Sequence, residues 1–415
     1  RQAGYPLVIV KEKPLASPET RKLELEQRRF LFDGSRYPKN TVWTIPIVIK
    51  TSSGDNPDYR YMKSKKMSFP VSTSNNWIKL NPDTSSLYRV LYPESMRHNL
   101  SHAVKNGDDK ITPADRIGLL DDAFALARAG YLPTTEALDL LESYRNEKNC
   151  YVWAVIASAF GAMDSIMFDS ENTARNAFKE YARKFFEPMA LHMGWDKREG
   201  ERNSDILLRS LLLRTCGGYG HMEILTEASL RLHNFSDGRV PLDPDLRQMV
   251  YILGAELGSQ QAFEKLLKIY NSTDDHQEKI RVLRAIGMTH SPETIDRVLA
   301  FAVSDKVRKQ DTPIVILSTG ANHTAQPQVW EFLKSNWKMF VERYHGGGLG
   351  LLTRMVGVAN GFTTEEAYRD VKEFFAKNKL TGAKRAMAET LEQIQSNAAW
   401  NKRDKENVIN WFNTK

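Results

Sequence analysis

Cysteine is scarce in this sequence, which contains only Cys150 and Cys216 among 415 residues. Two thiols cannot cross-link a chain of this size, so the class of small disulfide-stabilised secreted domains is excluded. The same scarcity favours a reducing compartment, and we expect a cytoplasmic protein. Both cysteines lie in apolar, helix-like sequence, where a buried and unreactive thiol is the ordinary interpretation.

Long hydrophobic runs are also absent. A membrane-spanning helix needs roughly 20 apolar residues, and the longest run here, VWAVIASAF at 152–160, is much shorter. This run predicts a buried helix, and we expect no contact with a membrane. The formal net charge is +7, but the basic residues are scattered apart from MKSKKM at 62–67. A nucleic-acid interface needs a basic stripe or a recognisable module, so no nucleic-acid partner is expected.

The motifs of common enzyme classes are missing as well. The sequence has no G-x-S-x-G elbow, and its glycine-rich stretches CGGYGH and YHGGGLG lack the Lys-Ser/Thr of a P-loop. Acidic pairs such as LDD at 120–122 are expected on solvated helix faces. His98 and His102 in RHNLSH have the spacing of a zinc-binding helix, but Asn99 replaces the general base and no third ligand follows. We therefore predict exposed histidines, no catalytic residue and no metal ligand.

One glycine-rich stretch has a functional alternative. YHGGGLG at 344–350 precedes the helix-like segment LLTRMVGVAN. Free backbone amides at the start of such a helix could hold an anion or a substrate group. A plain turn between two helices is the simpler interpretation.

The first part of the sequence reads as strands. Segments such as TVWTIPIVIKTS and NWIKLNPDTSSLYRVLY combine β-branched and aromatic residues with period-two alternation. Clusters of turn-forming residues such as DGSRYPKN separate them. The pattern predicts a small antiparallel β-sandwich over residues 1–92.

From residue 93 onward, helical periodicity takes over. In ITPADRIGLLDDAFALARAG, Thr112 is a good N-cap, Pro113 fits the first turn, and Gly130 suits the position after the helix. Similar caps are expected at Thr134, at Ser291 and at Thr363 or Thr364. KRAMAETLEQIQSNAAWNKRDKENVINWF predicts the last two helices. One amphipathic pair cannot bury its apolar faces alone, so successive pairs predict a HEAT/armadillo-like α-helical solenoid over residues 93–415. The expected fold class is α+β, mostly α.

The ordered segments resemble one known family. WIKLNPDTSSLYRVLY, DRIGLLDDAFALARAGYL, NEKNCYVW, LGSQQAFEKLLKIY, YHGGGLG and NAAWNKRD are similar, in this order, to the C-terminal region of M1-family zinc aminopeptidases, above all the puromycin-sensitive, cytosolic type. The resemblance implies that the family's H-E-x-x-H and G-x-M-E-N motifs lie in a catalytic domain preceding residue 1. Neither motif occurs here. The chain alone is thus expected to be inactive and to hold no cofactor, while zinc belongs to that catalytic domain.

The resemblance also implies a role for the chain. In the family, the solenoid closes over the catalytic face and encloses a cavity that admits short peptides. Carried over residue by residue, the YHGGGLG loop supplies His345, Gly348 and Leu349 as cavity-facing candidates, and Arg354 could attract a peptide carboxylate. The implied partners are the N-terminal and catalytic domains of the same protein and peptide substrates. The alternative is a free-standing helical-repeat interaction protein derived from a catalytically dead relative.

Overall fold

Strands precede helices along the chain. The computed structural model describes residues 3–15, 20–35, 41–53, 58–72, 76–168, 170–257, 260–344, 348–379 and 383–415. Within these ranges seven strands come first and seventeen α-helices follow. The predicted class, α+β and mostly α, is confirmed. The stacking of the helices as a solenoid stays a prediction.

The strands form two sheets. They are β1 (Tyr5–Pro14), β2 (Thr20–Phe30), β3 (Ile45–Thr51), β4 (Asp58–Met62), β5 (Lys66–Ser72), β6 (Ile78–Leu80) and β7 (Arg89–Leu91). One sheet has the order β5-β2-β1-β7 and the other the order β4-β3-β6. One pair departs from the predicted antiparallel pattern: β1 and β7 run parallel, with Val8 opposite Val90. Because β7 follows β6 of the other sheet, it reaches β1 through a crossover, a connection that allows parallel pairing.

The helices cover most of the remaining chain. They are α1 (Glu94–Lys105), α2 (Pro113–Arg128), α3 (Thr134–Glu142), α4 (Cys150–Met167), α5 (Asn172–Met193), α6 (Asn203–Gly218), α7 (Met222–Ser236), α8 (Pro244–Glu256), α9 (Gln260–Ser272), α10 (His276–Ala285), α11 (Pro292–Val303), α12 (Thr312–Ala321), α13 (Gln326–Ser335), α14 (Trp337–Arg343), α15 (Leu349–Met355), α16 (Glu365–Lys377) and α17 (Lys384–Asn413). A short 3-10 helix, Val356–Gly361, directly follows α15.

Three predicted helix caps are confirmed. The Thr112 hydroxyl accepts a hydrogen bond from the Asp115 amide, and the two residues form a reciprocal capping box at the start of α2. Ser291 caps α11, and Thr364 rather than Thr363 caps α16. Each of these side chains satisfies one of the amides that a helix start leaves without a partner.

Two helix predictions need correction. Thr134 is the first residue of α3, and Pro133 takes the cap position. The Thr134 hydroxyl instead donates to the Asp404 carboxylate at 2.5 Å. The segment predicted to form the last two helices is one continuous helix, α17, of 30 residues. It contains no proline or glycine between Lys384 and Asn413 that would break it.

The chain divides into two compact units. The first contains residues up to Ala162 together with Arg403–Trp411, and the second contains Met163–Lys402 together with Phe412–Lys415. The strands end at Leu91 and α1 begins at Glu94. The strands and the first helices share one unit, and the domain division at residue 92 stays a prediction.

The first unit has a hydrophobic core that joins the four-stranded sheet to α2 and α3. Leu7 of β1 and Phe30 of β2 are buried against the apolar face of α2, where Leu126 is almost fully buried. Leu132 and Ala137 continue this core toward α3. The α2 surface that covers the sheet includes Ala123, Leu126 and Ala127.

Helix α4 is the most apolar long helix in the described ranges. Its 18 residues have a mean hydropathy of 1.4, which by length and composition alone would allow it to cross a membrane. Half of this stretch is buried inside the protein, and Trp153 and Ile156 are fully covered. Core helices commonly pass the same test, so one helix of this kind is weak evidence for a membrane segment. The predicted buried helix at 152–160 lies within it.

Candidate functional site

The predicted loop before α15 is only partly described. His345 lies outside the described residues, and so does the side chain of Leu349. Gly348 precedes α15, and its amide donates to the Tyr344 carbonyl at 3.1 Å. A Cβ atom on Gly348 would come within 2.9 Å of the Tyr344 ring, which is held in place because its hydroxyl donates to the Lys309 carbonyl at 2.8 Å. Glycine at 348 therefore allows the close approach to Tyr344.

Arg354 lies on the last turn of α15. Its side chain is exposed, and it has no hydrogen bond or ion pair within the described part of the chain. The guanidinium is therefore available to an anion. One exposed cation does not by itself define a binding site, and the cavity-facing role of Gly348 and Arg354 stays a prediction.

The histidine pair of RHNLSH lines a cavity of the first unit. His98 and His102 are exposed on α1, and together with Asn99 and Asp108 they border a space of about 870 Å³. The His102 imidazole lies 3.0 Å from the Asn106 amide nitrogen. The Asp108 carboxylate accepts a hydrogen bond from the Trp77 indole at 2.8 Å, so this carboxylate already has a structural partner.

No metal centre is built around these histidines. Across the described ranges, no group of three or more His, Cys, Asp or Glu side chains is placed to hold a metal ion. A protein zinc site needs at least three such ligands. The described residues therefore do not fit the zinc ion of an aminopeptidase.

A second cavity of about 750 Å³ lies along the same helix. Arg97 and Glu136 form an ion pair at its edge, and Arg97 also donates to the Tyr92 carbonyl at 2.6 Å. Asp139 accepts from the Trp411 indole at 2.8 Å. These polar groups bind α1, α3 and α17 together, which explains their positions without a ligand.

Asp115 is a fully buried charge of the first unit with several direct partners. Its carboxylate lies 3.0 Å from the Lys79 ammonium and 3.2 Å from that of Lys50. It also accepts from the Asp83 amide at 2.7 Å. Burial alone would raise the pKa of Asp115, but Lys79, the Asp83 amide and Lys50 hold it below the usual range. Asp115 therefore stays ionised and joins α2 to β3 and β6, two neighbouring strands of the three-stranded sheet.

The turn beside Asp115 has an unusual backbone. Asn81, Asp83 and Thr84 all have φ angles near +55°, a region that residues with a side chain rarely adopt. The Asn81 side chain stabilises this turn, because its amide donates to the Ser86 carbonyl and its oxygen accepts from the Ser86 amide, both at 2.9 Å. The positive φ angles and the Asn81 hydrogen bonds that stabilise them lie where the strands meet the helices. We therefore assign this turn a structural role.

The LDD segment divides into one exposed carboxylate and one that is mostly covered. Asp121 is solvated as predicted, but Asp122 accepts from the Val90 amide and from the Arg89 guanidinium, at 2.9 and 2.8 Å. Burial raises the pKa of Asp122 to about 6, although Arg89 opposes the shift. Sequence reasoning missed this role because the two aspartates are adjacent and only the fold distinguishes their environments.

The second unit contains charged groups for which no direct partner is found among the described residues. Burial raises the pKa of Glu256, at the end of α8, to about 7, although Lys179 and Arg214 oppose the shift. Asp164 adds to this shift, and one of its own carboxylate oxygens is buried without a hydrogen bond. The Glu256 carboxylate lies close to α6, since a Cβ atom on Gly218 would be 3.7 Å from it. Buried charges that lack direct partners are costly and are more typical of binding surfaces than of packed cores. Helical periodicity alone gave no signal for them.

The two cysteines fit the predicted structural role to different degrees. Cys216 is fully buried, and burial raises the pKa of its thiol to about 12. Such a thiol is a poor nucleophile at neutral pH. Cys150 is partly exposed at the start of α4.

Comparison with known proteins gives the family. Residues 77–396 match the sequence profile described as the ERAP1-like C-terminal domain. The chain belongs to this family. The matched region begins beside β6 and ends within α17, so the ERAP1-like C-terminal domain includes the strand–helix junction around Asp115 as well as most of the helices.

Curated relatives agree with the family assignment. Aminopeptidase M1-B of Oryza sativa subsp. japonica is 31% identical over 416 aligned residues, which cover 96% of this chain and 46% of the relative. Aminopeptidase M1 of Arabidopsis thaliana is 30% identical, with 96% and 46% covered. Puromycin-sensitive aminopeptidase of Caenorhabditis elegans is 26% identical, with 96% and 43% covered. The predicted resemblance to the C-terminal region of M1 aminopeptidases is confirmed, and the chain spans about half the length of these relatives.

Proposed function

We propose that this chain is the non-catalytic C-terminal region of a zinc-dependent M1 aminopeptidase, an enzyme that removes N-terminal residues from peptides. The observation that carries the proposal is the match of the chain to the ERAP1-like C-terminal domain together with its coverage of about half of each aminopeptidase relative. In this proposal the helical region encloses the substrate cavity and helps to select peptides. The zinc ion and the catalytic residues belong to the other half of the enzyme.

The helix contacts of the second unit support a solenoid. α6 contacts α8, α8 contacts α10, and α10 contacts α12, so one set of alternate helices forms a layer. α7 contacts α9, and α11 contacts α13, so the intervening helices also meet in alternate pairs. Two layers of alternating helices are the arrangement in which helical repeats stack.

Charged side chains support a role in binding peptides. Peptides carry an amide backbone and charged termini, so a surface that binds them needs hydrogen-bonding and charged groups that the fold leaves available. Arg354 on α15 meets this need, because its side chain is exposed. His345, Gly348 and Leu349 complete the proposed contact at the loop before α15.

The proposal also assigns partners and compartment. The partners are the N-terminal and catalytic domains of the same protein and its peptide substrates, with no role for nucleic acid or membrane. A cytoplasmic location agrees with the two unpaired thiols, which a reducing compartment would preserve.

The test is to purify this chain and measure its metal content and its aminopeptidase activity. Elemental analysis should find no stoichiometric zinc, and a fluorogenic aminoacyl substrate should not be cleaved. Addition of the complementary N-terminal half, produced separately, should yield a complex and restore cleavage. Stoichiometric zinc with turnover in the chain alone would contradict the assignment, and so would the absence of any complex between the two halves.

A further inference from the structure

Strand β4 lies at an open edge of the three-stranded sheet. It pairs only with β3, where Met62 is opposite Ile45 and Asp58 is opposite Ile49. No other strand in the described ranges pairs with its second side. An antiparallel edge strand directs about half of its backbone amides and carbonyls away from its neighbour, and these groups can pair with a further strand.

Two tyrosines stand on the exposed face of this edge. Tyr59 and Tyr61 are 72% and 64% exposed, and alternate residues of a strand share one face. Neither side chain has a hydrogen bond, ring contact or cation contact with any described residue. Large aromatic side chains at the centre of an interface contribute strongly to binding. Their exposure here therefore indicates a contact surface.

The other face of β4 is anchored to the protein. Met62 is buried, and the Arg60 guanidinium lies 4.4 Å from the centre of the Phe69 ring in β5. Arg60 also pairs with Asp58 at 2.6 Å. The edge strand is thus held rigidly before any partner binds, and a pre-organised strand loses little entropy on pairing.

A basic run follows the edge directly. Lys63, Lys65 and Lys66 are exposed, and no acidic residue lies between Asp58 and Met67. Glu26 of β2 lies near Lys65 and Lys66 and offsets part of their charge, so the basic run keeps a net positive charge. Lysines at a sheet edge disfavour indiscriminate pairing with neutral or basic strands. A second copy of this chain would bring a second basic run to the same edge, which like-charge repulsion also disfavours. The charge leaves acidic strands as the complementary class.

We propose that β4 is a docking edge for an extended, acidic segment of a partner protein. The segment adds as a fourth strand to the β4-β3-β6 sheet, its side chains contact Tyr59 and Tyr61, and its carboxylates meet the lysines that follow β4. Backbone pairing supplies the register, and charge supplies the selectivity. This interaction requires no catalytic activity and is independent of the proposed aminopeptidase role.

The test uses the full chain and a short fluorescent peptide in which valine and glutamate alternate. Binding is followed by fluorescence anisotropy at low and high salt. Wild-type protein should bind the peptide saturably, and salt should weaken the complex. The double variant Tyr59→Ser/Tyr61→Ser should bind at least about tenfold more weakly, the effect expected for loss of a central aromatic contact. Both side chains are exposed, so the fold should tolerate the change.

Matched controls distinguish strand pairing from nonspecific binding. Tyr151→Ser removes a tyrosine that is 65% exposed on α4 and should leave binding unchanged. A peptide N-methylated at alternate amides, or one with lysine in place of glutamate, should not bind. The proposal is overturned if wild-type protein fails to bind, if the N-methylated peptide binds equally well, or if the tyrosine variant keeps its affinity. Dimerisation through Tyr59 and Tyr61 in light scattering would also overturn it, because the occupant would then be a second copy.

Discussion

Two carboxylates in the protein respond to burial in opposite ways. Asp115 is surrounded by Lys79, Lys50 and backbone amides, so its charge is stabilised and its pKa is lowered. Lys179 and Arg214 act on Glu256 from a distance, and no described cation forms a hydrogen bond with it, so burial dominates and its pKa is raised to about 7. The difference lies in direct hydrogen bonds to the ionised form, which Asp115 has and Glu256 lacks.

The raised pKa of Glu256 predicts a pH-dependent gain in stability for Glu256→Gln. The unfolded state ionises near the ordinary pKa of 4.5, while the folded state holds its proton up to about pH 7. The folded state therefore binds more protons between these values, and its stability falls as pH rises through this window. At pH 8 the variant should be more stable than wild type by about 1 to 2 kcal/mol, with little difference at pH 5. Urea unfolding at both pH values measures the effect.

The control for this prediction is Glu392→Gln. Glu392 is exposed on α17 and has no ion pair with any described residue. Its substitution should change stability by a similar small amount at both pH values. If Glu256→Gln is no more stable than wild type at pH 8, burial does not set the charge state of Glu256.

At the scale of elements, close helix contacts depend on small residues. Gly287 follows α10 and lies against Thr319 of α12, whose side chain is fully buried. A Cβ atom on Gly287 would come within 2.6 Å of the Thr319 Cβ and 2.7 Å of its Cα. Because the nearest atoms include backbone, a rotamer change cannot relieve this overlap, and the two helices would have to separate.

Gly287→Ala should therefore destabilise the second unit by about 1 to 3 kcal/mol, the range for overpacking in a dense core. Differential scanning calorimetry should show a melting temperature lower by several degrees. Gly350→Ala, on α15 in the same unit, is the matched control because nothing lies within 4 Å of its added Cβ. It should be neutral or slightly stabilising, since alanine favours helix more than glycine does. Equal effects of the two substitutions would show that the α10–α12 contact can relax.

Local sequence signals predict individual helices and strands better than they predict which of these elements contact each other. Thr112, Ser291 and Thr364 act as caps because capping depends on residues within one turn. The change from strand to helix near residue 92 was likewise visible, because side-chain period differs between the two structures. Nothing in the sequence pattern indicated the parallel pairing between β7 and β1 or the hydrogen bond from Thr134 to Asp404. They join residues far apart in sequence, and no local period records such contacts.

The candidate site also depends on contacts between distant residues that the sequence pattern does not reveal. The loop around Gly348 was predicted through family resemblance, but the exposed β4 edge and the carboxylates Asp122 and Glu256 were not. The sequence around Tyr59 and Tyr61 has the same alternation as other strands, and only the sheet order places β4 at an edge. Burial of Asp122 beside solvated Asp121 likewise depends on how α2 lies against β7.

At the scale of the whole molecule, the first unit is completed by residues near the end of the chain. Asp404 of α17 is buried and accepts hydrogen bonds from Thr134 and Arg403. The Arg403 guanidinium donates to the Ala127 carbonyl at 2.5 Å, across 276 residues of sequence. Since these contacts cover the ends of α2 and α3, the stability of both helices depends on α17.

Asp404→Ala should accelerate hydrogen exchange in α2 and α3. Loss of the carboxylate leaves the buried Thr134 hydroxyl without this acceptor, which costs about 1 to 3 kcal/mol. Hydrogen exchange followed by mass spectrometry should detect faster exchange over Pro113–Arg128 and Thr134–Glu142. Glu406→Ala, at an exposed position of α17 without an ion pair to any described residue, is the control and should leave both segments unchanged. Unchanged exchange in the Asp404 variant would mean that α17 adds little to this unit.

The return of α17 to the first unit also bears on the order of events during synthesis. A ribosome makes the chain from its N-terminus, so β1–β7 and α1–α3 emerge long before Arg403 does. Until Arg403, Asp404 and Trp411 have emerged from the ribosome, the surface that they later cover stays exposed. Within this sequence, α2 and α3 are thus made well before the residues that cover their ends.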